Sequence, residues 1–428
     1  MTDFRYIVIG AGMMGAAAAR HLSSQTDGVA LIGPDEPTDR KNHYGVFSSH
    51  YDEARITRGF DGDPVWAELA KRSIERYAEI EQKSGIRFYH EVGCLFTGNG
   101  EGLGGDYVSG AMSRKDGLGL TVETYEPDAL SSRFPMFSLP GDHHGWFEPH
   151  NAGYVNPRAL VKAQITIAEQ QGASILRQTV VKVFDGGSGV DIETSEGHRY
   201  TAEKVIVAAG GFTNMADILP VKVDMAATGR TIAFFELNEE EQEAFAGMPS
   251  TIVLALSMNV YARTVAFFEV DDAHLRGFSE MPSLIYEPSD PTKHIYLLPP
   301  VVYPDGKAYL KIGGDPENIL LGTDAEIRAW FRTGGKPEVR DNFAAIVGTL
   351  VPSIDVARLS MAACVTSYTP SGYPAIGYCG SERIAVLTGG CGAAAKSSDE
   401  IGRLGAVLLA QGHIEDEGYE TDFAPVFA

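Results

Sequence analysis

FRYIVIGAGMMGAAAAR, residues 4 to 20, joins three pieces in a fixed order. Phe4 to Ile9 is a run of aromatic and branched residues, the composition of a buried parallel strand. Gly10-Ala11-Gly12-Met13-Met14-Gly15 follows at once as a G-x-G-x-x-G turn, and Ala16 to His21 are strong helix formers. In that order Gly10 permits the tight turn, Gly12 lets a pyrophosphate approach the backbone, and Gly15 lets helix and strand pack closely. The helix N-terminus offers unpaired N–H groups and a positive dipole end to phosphates. This stretch predicts a dinucleotide-binding unit.

Working outward, Val29 to Ile32 reads as the next strand of that unit. A ribose-binding acid is expected at its end, yet Gly33-Pro34-Asp35-Glu36 stands there, so Asp35 is the nearest substitute. A solvated turn residue is the other reading of Asp35. Pro64 to Ser84 carries Trp66, Leu69, Ala70, Ile74, Tyr77 and Ile80 at helical spacing, opened by Pro64 and closed by Gly85. Arg55 and Arg58 lie three apart, so on a helical turn both face one side. Gly98 to Gly119 is glycine-rich and reads as a mobile surface segment. A helix is expected over 156 to 172, and then a small antiparallel meander through Ile175 to Phe184, Val190 to Thr194 and His198 to Tyr200. Lys204 to Ala209 enters a second glycine turn, Gly210-Gly211. Thr228 to Tyr309 is richer in β-branched and aromatic residues, as in a separate sheet domain. Arg383 to Leu387 then feeds a third glycine-rich turn and a closing helix from about Ser398.

With 428 residues, core size is no constraint, and 44% hydrophobic with 21% charged content is that of a globular protein. The net charge of −22 argues against nucleic-acid or anionic-membrane binding, so local Arg or Lys must draw in any anionic substrate. The four cysteines form no C-x-x-C pair, which suits a reducing compartment. With a strand beginning at residue 4 and no long apolar run, neither a signal peptide nor a membrane span is expected, and a cytoplasmic location is. His143, His144 and His150 lack the acid or cysteine spacing that would complete a metal site.

Several spaced elements together resemble the flavin-dependent amine oxidases around monomeric sarcosine oxidase, within the D-amino-acid-oxidase (DAO) superfamily. They are the Gly10/Gly12/Gly15 turn, Ser49-His50-x-x-x-x-Arg55-Ile-Thr-Arg58, Lys204 to Gly211, Leu310-Lys311-Ile-Gly313, Cys364-x-x-x-x-Thr369-Pro370-x-Gly372-x-Pro374-x-Ile376-Gly377, and Gly390-x-Gly392-x-x-x-Lys396. The resemblance implies an α/β fold: a Rossmann-like FAD-binding domain built from three segments (1–62, 146–222, 356–428), with an inserted antiparallel or mixed-sheet substrate domain (63–145, 223–355). It implies FAD as cofactor, through Gly10, Gly12, Gly15, Asp35, Ser49, His50, Val181, Gly210, Gly390, Gly392 and Lys396. Cys364 matches a cysteine that carries the flavin covalently in close relatives; a small buried thiol is the other reading. Arg58 and Lys396, with Gly392, match the substrate-carboxylate site, where charge-assisted donors suit a buried carboxylate. Lys311 matches a lysine that assists oxygen reduction, Tyr296 an active-site tyrosine, and Arg55 a second arginine close to the flavin.

Three positions depart from the pattern. Asp315 stands where close relatives carry a histidine, and Ala393 and Ala395 stand where they carry a histidine and an aromatic. The expected reaction is oxidation of the C–N bond of a secondary or N-substituted amino acid to an imine, with oxygen reduced to hydrogen peroxide. Alternatives are a dehydrogenase passing electrons to a quinone or another protein, and a non-catalytic flavin-binding subunit of a hetero-oligomer. A nicotinamide dehydrogenase explains the first motif but not the C-terminal elements.

Overall fold

The structure is a computed structural model that describes residues 2–100, 102–214, 218–220, 258–314, 317–415 and 417–427, without the side chains of 102–104. Asp315 and the 228–257 part of the expected sheet domain lie outside the described residues.

Strand β1 (Phe4–Ile9) is central to an eight-stranded sheet, pairing in parallel with β2 (Val29–Ile32) and with Arg199–Val207. Ser174–Leu176 extends it beyond β2, and Ile384–Thr388 joins Arg199–Val207, both in parallel. The hairpins of the expected meander add antiparallel strands at the other side. There the short His198–Tyr200 strand and the Lys204 strand prove to be one continuous strand, Arg199–Val207. Helix α1 (Met13–Ser23) lies on this sheet and packs against Pro157–Gln170 and the C-terminal helix Ala394–Gln411. Two glycines set those distances. A Cβ on Gly15 would strike the Gly10 carbonyl, and one on Gly402 would meet Ala17 Cβ at 2.5 Å and Met14 O at 2.8 Å.

Helix α2 (Pro64–Ser84) begins on Asp63, whose carboxylate accepts from Trp66 N at 3.0 Å, and ends on Gly85 at φ 69°. Its Val65, Trp66 and Leu69 share the core with Val8, Leu22 and Leu404. Thus α2, expected with the substrate domain, packs on the first sheet's helices.

A nine-stranded sheet forms the second layer, built around Asn259–Val270, Ala308–Gly313 and Ile295–Val302. It also takes Cys94–Gly98, His144–Glu148 and Leu359–Tyr368, so the 146 boundary falls within a strand of this sheet and the 356 boundary just before another. Between the layers, a three-stranded sheet joins β3 (Arg55–Thr57) to Gly153–Val155 and Tyr89–His90. Gly102–Arg114 is helical, against the expected mobile segment, because Val108 and Ala111, one turn apart, bury against Phe60 and Phe96. No helix of the described residues is long and apolar enough to cross a membrane.

The two turn glycines should separate experimentally. Gly15→Ala forces α1 off the sheet and is expected to lower the calorimetric melting temperature by about 4 °C or more. Gly12→Ala, whose Cβ would meet only Ser48 Oγ at 3.6 Å, should leave it nearly unchanged.

Candidate active site

A cavity opens where α1 begins. It is lined by Gly10, Gly12, Met13 and Met14, by Gly33 and Pro34 after β2, and by Val180, Gly210, Cys364, Gly390 and Gly392 from the later segments. Gly12 caps α1 without any side-chain hydrogen bond, so the first-turn N–H groups have no side-chain acceptor there. Bare backbone at Gly12, a positive helix end and a groove lined by separated segments fit an extended dinucleotide such as FAD. Ser49, His50 and Arg55 also line it. His50 Nδ1 lies 2.5 Å from Ser48 Oγ, and burial pushes its pKa down to about 4, so the ring is neutral. A second opening meets the first at Phe47, Ser48, Ser49, Tyr51, Arg55 and Cys364.

Arg55 and Arg58 do not share a face. Residues 55 to 57 are extended rather than helical and Arg58 follows the end of that strand, so the shared face of a helical turn does not form. On one side, Arg55 pairs with Asp52 at 3.0 Å and its Nη2 donates to Ser49 O at 3.0 Å and towards Cys364 Sγ at 3.5 Å. Lys311, only 1% exposed, donates to Asp52 Oδ2 and to the Ala54 carbonyl at 2.8 Å, and lies 5.9 Å from the Tyr296 ring centroid. Tyr303 donates to Asp52 Oδ1 at 2.9 Å. Burial and then the Arg55 charge push Lys311 down to about 8. Burial opposes ionisation of Asp52, but Lys311 and Arg55 outweigh it and hold the carboxyl down at about 2.

On the other side, Arg58 and Lys396 converge on Asp61. Arg58 Nη1 lies 3.2 Å from Asp61 Oδ2, and Lys396 Nζ donates to the same oxygen. Arg58 Nη1 also donates to the Phe60 carbonyl, and the guanidinium lies 5.7 Å from the Tyr107 centroid. Glu148, 1% exposed, accepts from Gly59 N at 3.1 Å and Phe60 N at 2.9 Å. Burial raises Glu148 to about 7, despite those two donors and the nearby Arg58 and Lys396.

Gly10, Gly12, Ser49, His50, Arg55, Gly210, Cys364, Gly390 and Gly392 are therefore brought to one cavity, with Gly15 beneath it. Lys311 and Tyr296 gather behind Arg55, and Arg58 and Lys396 form their own group; none of these four lines the cavity. Two expected residues are placed elsewhere. Asp35 has its side chain 73% exposed and faces Arg177 at 3.4 Å, because the chain turns outward after Pro34. Val181 is 38% exposed, and Val180 lines the cavity in its place, since adjacent strand residues face opposite ways. Cys391 takes a left-handed φ of 46° and points its thiol at Gly389 O, 3.2 Å away. Asp52, Asp61, Glu148 and Tyr303 were not singled out from sequence. The signal for the first two was an acid three residues from each arginine. No cluster of His, Cys, Asp and Glu able to hold a metal occurs among the described residues.

Glu148 makes stability depend on pH. Its carboxyl holds a proton to about pH 7 when folded and only to about 4.5 when unfolded, so the unfolded state binds fewer protons between those values. Stability therefore falls as pH rises through that window. Between pH 5 and pH 8 the wild type should lose about 2 °C or more of melting temperature relative to Glu148→Gln, by differential scanning fluorimetry; parallel curves would contradict the buried, protonated carboxyl.

A family model described as FAD dependent oxidoreductase (DAO) matches residues 5–408. Monomeric sarcosine oxidase of Bacillus sp. (strain B-0618) is 30% identical over 256 residues, 59% of this chain and 63% of that protein. N-methyl-L-tryptophan oxidase of Yersinia pestis (strain Pestoides F) is 28% identical over 220 residues, 51% of this chain and 56% of that protein. The match thus spans less than two thirds of the length of these curated relatives. Among solved structures, the open form of NikD, "an unusual amino acid oxidase essential for nikkomycin biosynthesis", superposes with a TM-score of 0.73 at 19% identity, covering 100% of this chain and 98% of that one. That likeness shows a shared fold. With the family model spanning nearly all of both layers and the glycine-lined cavity at its expected place, the chain belongs to the DAO family of FAD-dependent oxidoreductases.

Proposed function

We propose that the chain oxidises the C–N bond of a secondary or N-substituted amino acid to an imine, which water hydrolyses, with O2 reduced to hydrogen peroxide. The observation that carries this reading is one cavity that touches the Gly10–Gly12 turn, Arg55, Cys364 and the Gly390–Gly392 turn. FAD, when bound, supplies the two-electron sink for the hydride equivalent leaving the carbon beside nitrogen. The protein's part is charge and orientation. Gly10, Gly12, Ser49, His50, Gly210 and Gly390 hold the cofactor. Arg55 offers positive charge at the cavity wall, fixed in direction by Asp52. Arg58 and Lys396, beside the Gly392 turn, orient the substrate's acid end, and Tyr296 packs near it. Sarcosine oxidase and N-methyl-L-tryptophan oxidase, as named, suggest N-methyl amino acids as first candidates. A cytoplasmic site of action goes with this reading.

Lys311 is the group for oxygen reduction: a buried ammonium stabilises developing negative charge. A dehydrogenase using another acceptor is the second reading, favoured by the Asp52 carboxylate that already neutralises Lys311. Cys364, on the cavity wall within 3.5 Å of Arg55, is the proposed point of covalent flavin attachment.

Anaerobic mixing of the FAD-loaded protein with N-methyl and cyclic amino acids should bleach the flavin absorbance; a spectrum unmoved by the whole panel rejects the reading. Lys311→Met should keep that bleaching and slow reoxidation by oxygen about 100-fold or more, whereas unchanged reoxidation assigns the role elsewhere. Acid-precipitated wild type should stay yellow and Cys364→Ala should not; a colourless wild-type pellet means the flavin is not covalent.

A further inference from the structure

Lys311 is an amine in surroundings that oppose its charge. Its side chain is buried and lines neither opening. A buried ammonium without a counterion gives up its proton, because burial disfavours the charged form. Its neighbours therefore decide its state. After burial itself, the like charge of Arg55 is the strongest influence driving the proton off. Tyr296, on the strand Ile295–Val302, and Tyr303, just after it, also face the group; burial keeps both hydroxyls protonated, the first up to about 12. The Ala54 carbonyl accepts from Nζ at 2.8 Å but carries no charge. The Cys364 sulfur lies on the far side of Arg55 Nη2, and joined to flavin as proposed it is an uncharged thioether. The counterion is Asp52, whose Oδ2 accepts from Lys311 Nζ.

The dependence runs one way. Asp52 has other support for its charge: Arg55 Nε at 3.0 Å, and donation to Oδ1 from Tyr303 and from Glu53 N, each at 2.9 Å. It also lines the second opening, as Tyr303 does, whereas Lys311 does not. Such charge-assisted donors keep a carboxylate ionised with or without the lysine. Lys311 keeps its own charge only beside Asp52. Lys311 and Arg55 are two cations and Asp52 one anion, which leaves one positive charge on the group. Removing the carboxylate would not release a second cation. Lys311 would lose its proton, and the one positive charge would rest on Arg55 alone. The carboxylate thus offsets part of the ammonium's field and is also the reason the ammonium exists.

We propose that Asp52 is a positioning residue for oxygen reduction: it holds Lys311 behind Arg55 in the ammonium form, and without it the side chain is an amine that cannot stabilise negative charge developing on oxygen. The inference rests on the assignment of Lys311 to that step in the proposed function.

Two measurements test it. In oxidised, FAD-loaded protein carrying carbon-13-labelled lysine, the Lys311 Cε resonance, assigned by its absence from Lys311→Met, is followed against pH by NMR. Wild type should titrate near 8. Asp52→Asn should titrate about one pH unit lower or more, a tenfold loss of proton affinity; an unmoved midpoint overturns the proposal. The second measurement is reoxidation by oxygen of photoreduced protein, which needs no amine substrate. Asp52→Asn should be slower than wild type by about tenfold or more near pH 8 and should approach it near pH 6, where the amine regains its proton. A rate equal to wild type at every pH, or one depressed equally at every pH as a merely structural role would give, overturns the proposal. If Asp52→Asn does not hold flavin, the wild-type titration decides: a Lys311 midpoint below about 7 refutes the proposal, and one at about 8 or above supports it. Lys311→Met reoxidising at the wild-type rate would refute the oxygen role itself, whereas an unmoved Lys311 midpoint refutes only the part given to Asp52.

Discussion

Two missing methyl groups set the distances on which the site depends. Gly15 lets α1 settle on the Gly10 carbonyl, and Gly402 lets the C-terminal helix settle on Ala17 and Met14 of α1. The first contact aims the start of α1 into the groove beside Ser48; the second draws in the helix that carries Lys396. Backbone held against backbone leaves little freedom for adjustment, since interiors are close-packed and transmit strain. The cavity wall at Gly390 and Gly392 is thereby registered to the one at Gly10 and Gly12, although nearly 400 residues separate them in sequence.

On that frame, β3 divides the charge. Its extended backbone sends Arg55 towards Asp52, Lys311 and Cys364, and Arg58 lies with Asp61, Lys396 and Glu148. Both groups have the same construction, two cations bridged by one buried aspartate. Removing one partner of such a buried pair costs about 3–5 kcal/mol, whereas an exposed pair such as Asp35 with Arg177 is worth about 0–1 kcal/mol. These aspartates hold their cations in fixed directions beside the cavity, the preorganisation that electrostatic catalysis requires. They also temper the charge that a substrate or oxygen meets, so the environment differs from that of isolated ammonium and guanidinium groups.

The sequence was most legible where the signal was local. The β1–turn–α1 unit, the Pro64 to Ser84 helix and the late strand entering Gly210 follow from composition and spacing over a few turns. Errors came where tertiary packing overrode local pattern. Gly-rich 102–114 is a helix because Val108 and Ala111 find Phe60 and Phe96, and Arg55 lies on a strand because Gly153–Val155 pairs with it. Val181 missed the cavity by one residue, which on a strand is a full reversal. Asp52 and Asp61 stand three residues from Arg55 and Arg58, but their lysine partners, Lys311 and Lys396, lie 259 and 335 residues away. No window along the chain contains either pair.

The most direct measurement of whether the glycine-lined groove is a flavin site is the absorption spectrum of the purified chain after incubation with FAD and gel filtration. The account predicts the visible absorbance of bound flavin at about one flavin per chain, lost when Gly12 is replaced by a bulky residue such as Val. A protein that elutes colourless, or that keeps its flavin with Val at position 12, would contradict it.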